Sequence, residues 1–213
     1  HSHTMIVVVD YGMGNLRSVS KALEHLGASV RVSQDPRDVE RADKLIVPGV
    51  GAFGAAMQEL SRRKLIEPIR AAIHQQCKPY LGICLGLQLL FDESEENPEV
   101  AGFGVLGGRV KRFPDGGARK IPHMGWNQVN STQHTAHSTQ QCPLLKEIAE
   151  GSFFYFVHSY YADPDDRGMV ALESDYGGPF AAMVWKDNIY ATQFHPEKSQ
   201  ALGLRLLDNF VKL

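Results

Sequence analysis

Three side chains lying far apart in the 213-residue chain are of the types that nucleophilic amide chemistry needs: Cys84, His195 and Glu197. Cys84 stands in Gly82-Ile83-Cys84-Leu85-Gly86-Leu87-Gln88. A short apolar run bounded by Pro79 enters this stretch, and Leu87, Leu89, Leu90 and Phe91 leave it, which is the pattern of strand, sharp turn and helix. A nucleophile elbow needs small residues on both sides of the reactive one, because strand and helix backbones approach closely there; Gly82 and Gly86 supply them. The sulfur then sits at a helix start. Unpaired backbone N–H groups stabilise negative charge at that position, and the N–H of Leu85 can face an oxyanion formed on a substrate. Taken alone, the segment reads equally well as a buried structural thiol at a strand end.

A cysteine nucleophile also needs a base and a group that orients the base. Thr192-Gln193-Phe194-His195-Pro196-Glu197, on the last predicted strand, offers both. Pro196 keeps His195 extended, so His195 and Glu197, two apart, project to the same side. His195 can take the thiol proton and return it to a departing nitrogen, while Glu197 fixes the imidazole tautomer and steadies the imidazolium. A lone His-x-Glu pair is as often a solvated strand cap. Joined to a cysteine elbow, it becomes a relay.

The elements that must position these groups alternate. Met5 to Val9 reads as a strand leading through Asp10-Tyr11-Gly12-Met13-Gly14-Asn15 into a helix to about Leu26, with Gly27 at its C-cap. Strands at Ala28 to Val32 and Lys44 to Val47 follow, the latter running into Pro48-Gly49-Val50-Gly51-Ala52-Phe53-Gly54; helices are predicted from Phe53 to about Arg62 and about Glu67 to Gln76. This alternation predicts a three-layer α/β/α fold with a flavodoxin-like, mostly parallel central sheet whose loops meet at one edge. The acidic run Asp92, Glu93, Glu95, Glu96, Glu99 reads as a solvated loop. The C-terminal half reads as more antiparallel. Strands are predicted at Arg109 to Phe113 and Gly125 to Val129, a polar loop over Ser131 to Gln141, and a helix near Leu144 to Ala149. Strands at Phe153 to Val157 and Met169 to Glu173 come next, then a hairpin from Phe180 to Phe194 turning at Lys186-Asp187-Asn188, and a last helix from about Gln200 to Lys212.

Residues 1–4, His-Ser-His-Thr, resemble an expression-tag remnant, leaving residues 5–213 as one domain. A net charge of −2 gives no basic stripe of the kind nucleic-acid binders carry. No run approaches membrane-spanning length, so a soluble, cytoplasmic protein is expected. Cys77, Cys84 and Cys142 lack framework spacing, which favours a reducing compartment. Three other patterns carry little. Gly49-Val50-Gly51-Ala52-Phe53-Gly54 matches a dinucleotide fingerprint, but no acidic residue ends the next strand to hold a ribose. His134, His137 and Cys142 fit no standard zinc spacing, and Asp163-Pro164-Asp165-Asp166-Arg167-Gly168 reads as a plain turn, not a calcium loop. No metal or cofactor is expected.

Gly82-Ile83-Cys84-Leu85-Gly86-Leu87-Gln88 together with His195-Pro196-Glu197 resembles the triad class of glutamine amidotransferases. Within that class, Asp10-Tyr11-Gly12-Met13-Gly14-Asn15, Pro48-Gly49-Val50-Gly51-Ala52-Phe53, Pro122-His123-Met124-Gly125-Trp126-Asn127 and His158-Ser159-Tyr160-Tyr161 are similar to the glutaminase subunits of imidazole glycerol phosphate synthases of histidine biosynthesis. The resemblance implies that Cys84 attacks the side-chain amide of L-glutamine, releasing ammonia and leaving a thioester that water hydrolyses. It implies an oxyanion hole from the N–H of Leu85 and one from the Gly49-Val50-Gly51 loop. Gln88, with backbone groups near Ser159 and Tyr160, and Gly49 would hold the substrate. A heterodimer with a (β/α)8-barrel cyclase is implied too, since free ammonia is mostly protonated in water and needs a closed passage. Asn15, Met124, Trp126 and Lys198 are the interface candidates, with core packing the competing reading of Trp126. If the Val50 peptide must turn to face the oxyanion, the isolated subunit should be a poor glutaminase. The alternatives are a glutaminase serving an anthranilate or pyridoxal phosphate synthase, or a flavodoxin-like domain in which Cys84 senses oxidation.

Overall fold

The computed structural model describes residues 4–115, 119–132 and 141–213. Four short strands form the centre: β1 (Met5–Val9), β3 (Lys44–Val47), β4 (Tyr80–Ile83) and, late in the chain, β12 (Ile189–Thr192). Each is almost continuously buried, as expected of parallel strands covered on both faces. β2 (Ser29–Ser33) extends the sheet at one edge; β10 (Val170–Asp175) and β11 (Pro179–Lys186) extend it at the other. The seven strands run in the order β10-β11-β12-β4-β3-β1-β2, parallel from β12 to β2 and antiparallel at β12-β11-β10. Strand alternation divides the core in two. Val7, Leu45 and Tyr80 pack under α2 (Pro36–Arg41), α3 (Phe53–Arg62) and α4 (Ile66–His74), whereas Ile6, Ile46 and Leu81 pack under α1 (Leu16–His25) and α6 (Gln200–Val211). This is the expected three-layer α/β/α arrangement. Lys44 is the charged exception inside β3. Its Nζ donates to the carbonyls of Phe210 and Val211 at 3.0 and 2.6 Å, capping the C-terminus of α6.

Two smaller sheets stand beside the sheet's carboxyl edge: β5 (Glu93–Ser94), β6 (Gly108–Arg112) and β9 (Tyr160–Pro164) in one, β7 (His123–Val129) and β8 (Ser152–His158) in the other. Several expectations are corrected here. The helix α2 follows Asp35, whose side chain caps the N–H of Arg37, with Pro36 at the first helical position; the signal was present, but six residues are too few to show a period. β9 occupies the first part of the predicted turn at Asp163, and Pro164 is tolerated because β9 is an edge strand. Only a 3-10 turn, Pro143–Leu145, forms where a helix near Leu144 to Ala149 was expected, since Glu147 takes a positive φ of 63° and breaks it. The acidic run is not merely solvated. Glu96 accepts from the N–H of Phe53 at 2.8 Å and Asn97 from that of Gly54 at 2.7 Å, capping α3, whose own N-cap residue Ala52 has no acceptor. His134, His137 and most of the predicted loop over Ser131 to Gln141 lie outside the described residues, as does Gly116-Gly117 of a predicted turn. Among the described residues no helix is long and apolar enough to cross a membrane, and no group of three His, Cys, Asp or Glu is gathered as for a metal ion.

Candidate active site

The carboxyl ends of β1, β3, β4 and β12 carry Tyr11, the Pro48–Ala52 loop, Cys84 and the segment from Gln193 to Glu197, so four separated stretches converge on one edge. Cys84 has φ 56° and ψ −104°, a conformation that costs an L-residue free energy and is held by its surroundings. Its N–H is tied to the Thr192 carbonyl at 2.7 Å. The flanking glycines are required by space. A Cβ on Gly82 would stand 2.5 Å from the Gly86 carbonyl oxygen, and one on Gly86 would stand 1.7 Å from that of Val47. The helix α5 after the elbow is shorter than expected, a single turn over Leu85–Gln88.

On one side of the sulfur, His195 Nδ1 meets Glu197 Oε1 at 2.6 Å, with both side chains only 4% exposed. The pair is not carried on the strand as the sequence suggests: β12 ends at Thr192, His195 is extended, and Glu197 lies in the 3-10 turn Pro196–Lys198. That turn swings the carboxylate back under the ring. Because a carboxylate accepts, the Nδ1 proton is fixed on the ring, leaving Nε2 to face other chemistry. Nε2 and the second carboxylate oxygen, Glu197 Oε2, are buried with no hydrogen-bond partner among the described residues. Burial works against a charged imidazole here, but the charge and hydrogen-bonding influence of Cys84, followed by Glu197, raise the His195 pKa to about 10. Cys84 is therefore the strongest positive influence on a ring with which it has no fully formed hydrogen bond. The sulfur lies close enough for its charge to favour the protonated ring.

On the other side, the Leu85 N–H is already occupied: it donates to the Gly49 carbonyl at 3.1 Å. In a trans peptide the N–H of Val50 points opposite to that carbonyl, so it faces away from Leu85. Tyr11 anchors the base of this loop, donating its hydroxyl to the Pro48 carbonyl at 2.6 Å. Burial first, and the Cys84 charge second, push the Tyr11 phenol far up, which keeps it a donor. Gly51 takes a φ of 119°, open to glycine alone without strain.

A cavity of about 440 Å³ opens between the two sides, lined among others by Val50, Gly51, Cys84, Leu85, Gln88, Ser159 and Tyr160. Gln88 is buried, at 5% exposure, rather than lying on the surface of its helix. Its Nε2 donates to the Tyr160 carbonyl and to Gln193 Oε1, both at 3.2 Å, while Gln193 Nε2 lies 3.5 Å from the Cys84 sulfur. Gln193 and His158 are neighbours of the site that the sequence reading did not single out. Gln193 was visible two residues before His195; His158 had only its place beside Ser159. The four interface candidates are not in the cavity. Met124 and Trp126 are 61% and 47% exposed on β7, ruling out core packing for Trp126, Lys198 is exposed, and the exposed Asn15 caps α1 by accepting from Ser18 N–H at 3.4 Å.

The sequence matches the family "Glutamine amidotransferase class-I" over residues 7–213. Among curated relatives, "Imidazole glycerol phosphate synthase subunit HisH" of Syntrophotalea carbinolica is 51% identical, the alignment covering 97% of this chain and 98% of that one. Its counterpart in Acinetobacter baylyi is 49% identical and covers 98% of each. The chain belongs to the class-I glutamine amidotransferases, in the HisH branch. The fold agrees. A crystal structure of a glutamine amidotransferase superposes with a TM-score of 0.73 over 97% of both chains at 21% identity. The structure of PurLQS from Thermotoga maritima gives 0.73 over 99% of this chain and 98% of that one at 18% identity.

Proposed function

We propose that this glutamine amidotransferase hydrolyses L-glutamine to glutamate and ammonia with Cys84 as nucleophile, His195 as general acid and base, and Glu197 as the group that orients His195. The buried His195–Glu197 pair beside a strained cysteine elbow, all opening on one cavity, is the observation that carries the reading. The Cys84 sulfur attacks the amide carbon, and the electron pair of the C=O moves onto oxygen. Collapse of this intermediate expels the nitrogen, which leaves as ammonia with the proton carried by His195. His195, now neutral, takes a proton from water as water attacks the thioester, and glutamate departs as the thiolate reforms. Gln88, Ser159, Tyr160 and Gly49 hold the amino-acid end of the substrate.

The oxyanion is held by the N–H groups of Leu85 and of Val50 or Gly51, after the Gly49–Val50 peptide turns over. In the resting loop the Gly49 carbonyl fills that place. An acceptor oxygen where an oxyanion must sit opposes catalysis by repulsion as well as by the lost donors. The partner subunit is a (β/α)8-barrel cyclase that receives ammonia in a cytoplasmic heterodimer, docking on the face that carries Asn15, Met124, Trp126 and Lys198. Its loaded form favours the turned peptide. The family names of the relatives and the exposed Met124 and Trp126 support this assembly.

A diazo-ketone analogue of glutamine tests the chemistry. Stoichiometric labelling that maps to Cys84 and disappears in Cys84→Ala is the expected result; labelling elsewhere, or nitrogen transfer that survives Cys84→Ala, overturns it.

A further inference from the structure

From the cavity wall at His158 inward, three side chains that the proposed chemistry leaves unused stand in line. Asn127 Nδ2 is 3.2 Å from His123 Nε2, His123 Nδ1 is 2.9 Å from His158 Nε2, and His158 Nδ1 is 2.9 Å from the Tyr160 carbonyl oxygen. Both imidazoles are buried, at 3% and 6% exposure. The direction of every proton in this line follows from its two ends independently. At one end the Tyr160 carbonyl can only accept, so His158 carries its proton on Nδ1 and presents a bare Nε2; His123 must then donate from Nδ1. At the other end, Asn127 Nδ2 also donates to the Asp175 carbonyl at 2.8 Å, and Asn127 Oδ1 accepts from the Gln128 N–H at 2.8 Å, which fixes the amide orientation. Asn127 is therefore the donor to His123, whose Nε2 must be bare. The two deductions agree, and neither ring has room for a second proton.

The rings are also held against rotation. His123 is stacked between Tyr176 and Phe156, with centroids 4.1 and 5.0 Å away, and Phe113 packs against both imidazoles. The line ends on an oxygen that matters: the Tyr160 carbonyl accepts from His158 with one lone pair and from Gln88 Nε2 with the other. Gln193 takes the remaining Gln88 N–H. With both amide hydrogens committed, the polar group that Gln88, a lining residue of the cavity, has left to offer is its oxygen, an acceptor suited to the ammonium group of an α-amino acid and closed to an acceptor group in the same place.

We propose that Asn127, His123 and His158 form a fixed, uncharged hydrogen-bond relay that locks the Tyr160 carbonyl and, through it, the amide orientation of Gln88, making His123 and His158 positioning residues for the substrate's ammonium end. This rests on the reading of the cavity as the glutamine site. Burial acts in the same sense as the relay geometry, lowering His123 to about 4 and His158 to about 3.

Two measurements test the proposal. In the full-length chain labelled with 15N-histidine, ring-nitrogen NMR at neutral pH should show both His123 and His158 neutral with the proton on Nδ1, the minor tautomer of free imidazole. An Nε2–H tautomer or an imidazolium on either ring overturns it. In the complex with the cyclase, His123→Phe keeps the stacked ring but deletes the donor. It should raise the KM for glutamine about 10-fold with kcat within about twofold, and His123→Asn, which returns an N–H near the lost Nδ1, should recover most of the loss. An unchanged KM in a folded His123→Phe complex refutes the positioning role. Failure of the wild-type complex to hydrolyse glutamine would instead sink the assignment of the cavity, and the tautomers would still decide the relay.

Discussion

The two flanks of Cys84 are built from different materials and stand in different states. On the His195 flank, side chains do the work: ring and carboxylate lie 2.6 Å apart, both buried, on an extended residue followed by a proline-led turn. On the Leu85 flank the working groups are backbone N–H groups, and the one that should bind an oxyanion is bonded to the Gly49 carbonyl at 3.1 Å. A side-chain relay is fixed once its elements pack, because rotamers in a close-packed interior have no room to change. A peptide that follows a glycine, in a loop with a second glycine one residue on, can turn while its neighbours stay put. On the proposed mechanism, acid–base capacity is thus built into the subunit's own fold, and transition-state stabilisation is left conditional.

The largest way to break this contrast is on the assembled flank. His195→Ala should lower glutaminase turnover of the complex by at least about 10³-fold at saturating glutamine, with little change in KM, since the ring acts on the reacting atoms and does not bind the ground state. Initial-rate kinetics with coupled glutamate detection would read this. Next in size is the conditional flank. Val50→Pro removes the N–H that should turn inward, and turnover stimulated by the loaded cyclase should drop about 10²-fold, the usual cost of one oxyanion donor. Retention of full stimulation would show that the Val50 N–H is not the second donor.

How far the sequence revealed these two flanks follows the same division. The strands Met5–Val9 and Lys44–Val47 and the helix Phe53–Arg62 were legible to the residue, because short apolar runs, Lys44 apart, and a clear helical period leave one reading. The His195–Glu197 contact was legible as well, being local. Less legible were contacts that join distant segments, such as His123 with His158 across β7 and β8, or Glu96 capping α3, since no residue spacing encodes them. The short α2 announced itself only through Asp35 and Pro36. Least legible was the orientation of one peptide. Gly49-Val50-Gly51 says that the peptide is able to turn, and says nothing of which way it rests.

The smallest effect concerns the wall behind the cavity. Burial lowers His123 to about 4 and, with the neighbouring His123 and His195 imidazoles adding to it, His158 to about 3, and both folded values lie below the unfolded value of 6.5. Between pH 6.5 and 4 the unfolded chain therefore binds more protons than the folded one, so stability falls as pH falls, by about 1.4 kcal/mol per pH unit for each histidine at the steepest. Thermal melts across that range should show His123→Phe with the shallower acid limb. Identical limbs would mean that His123 is already protonated in the fold.

Glutamine hydrolysis by this chain alone, set beside hydrolysis by the same chain in complex with the cyclase carrying its ligand, tests the central contrast most directly. With the base flank ready and the oxyanion flank shut, turnover should rise at least about 10²-fold on forming the loaded complex, while His195–Glu197 stays as it is. Equal turnover in the two states would contradict the account, because it would mean that the Gly49 carbonyl on Leu85 is no obstacle to the chemistry.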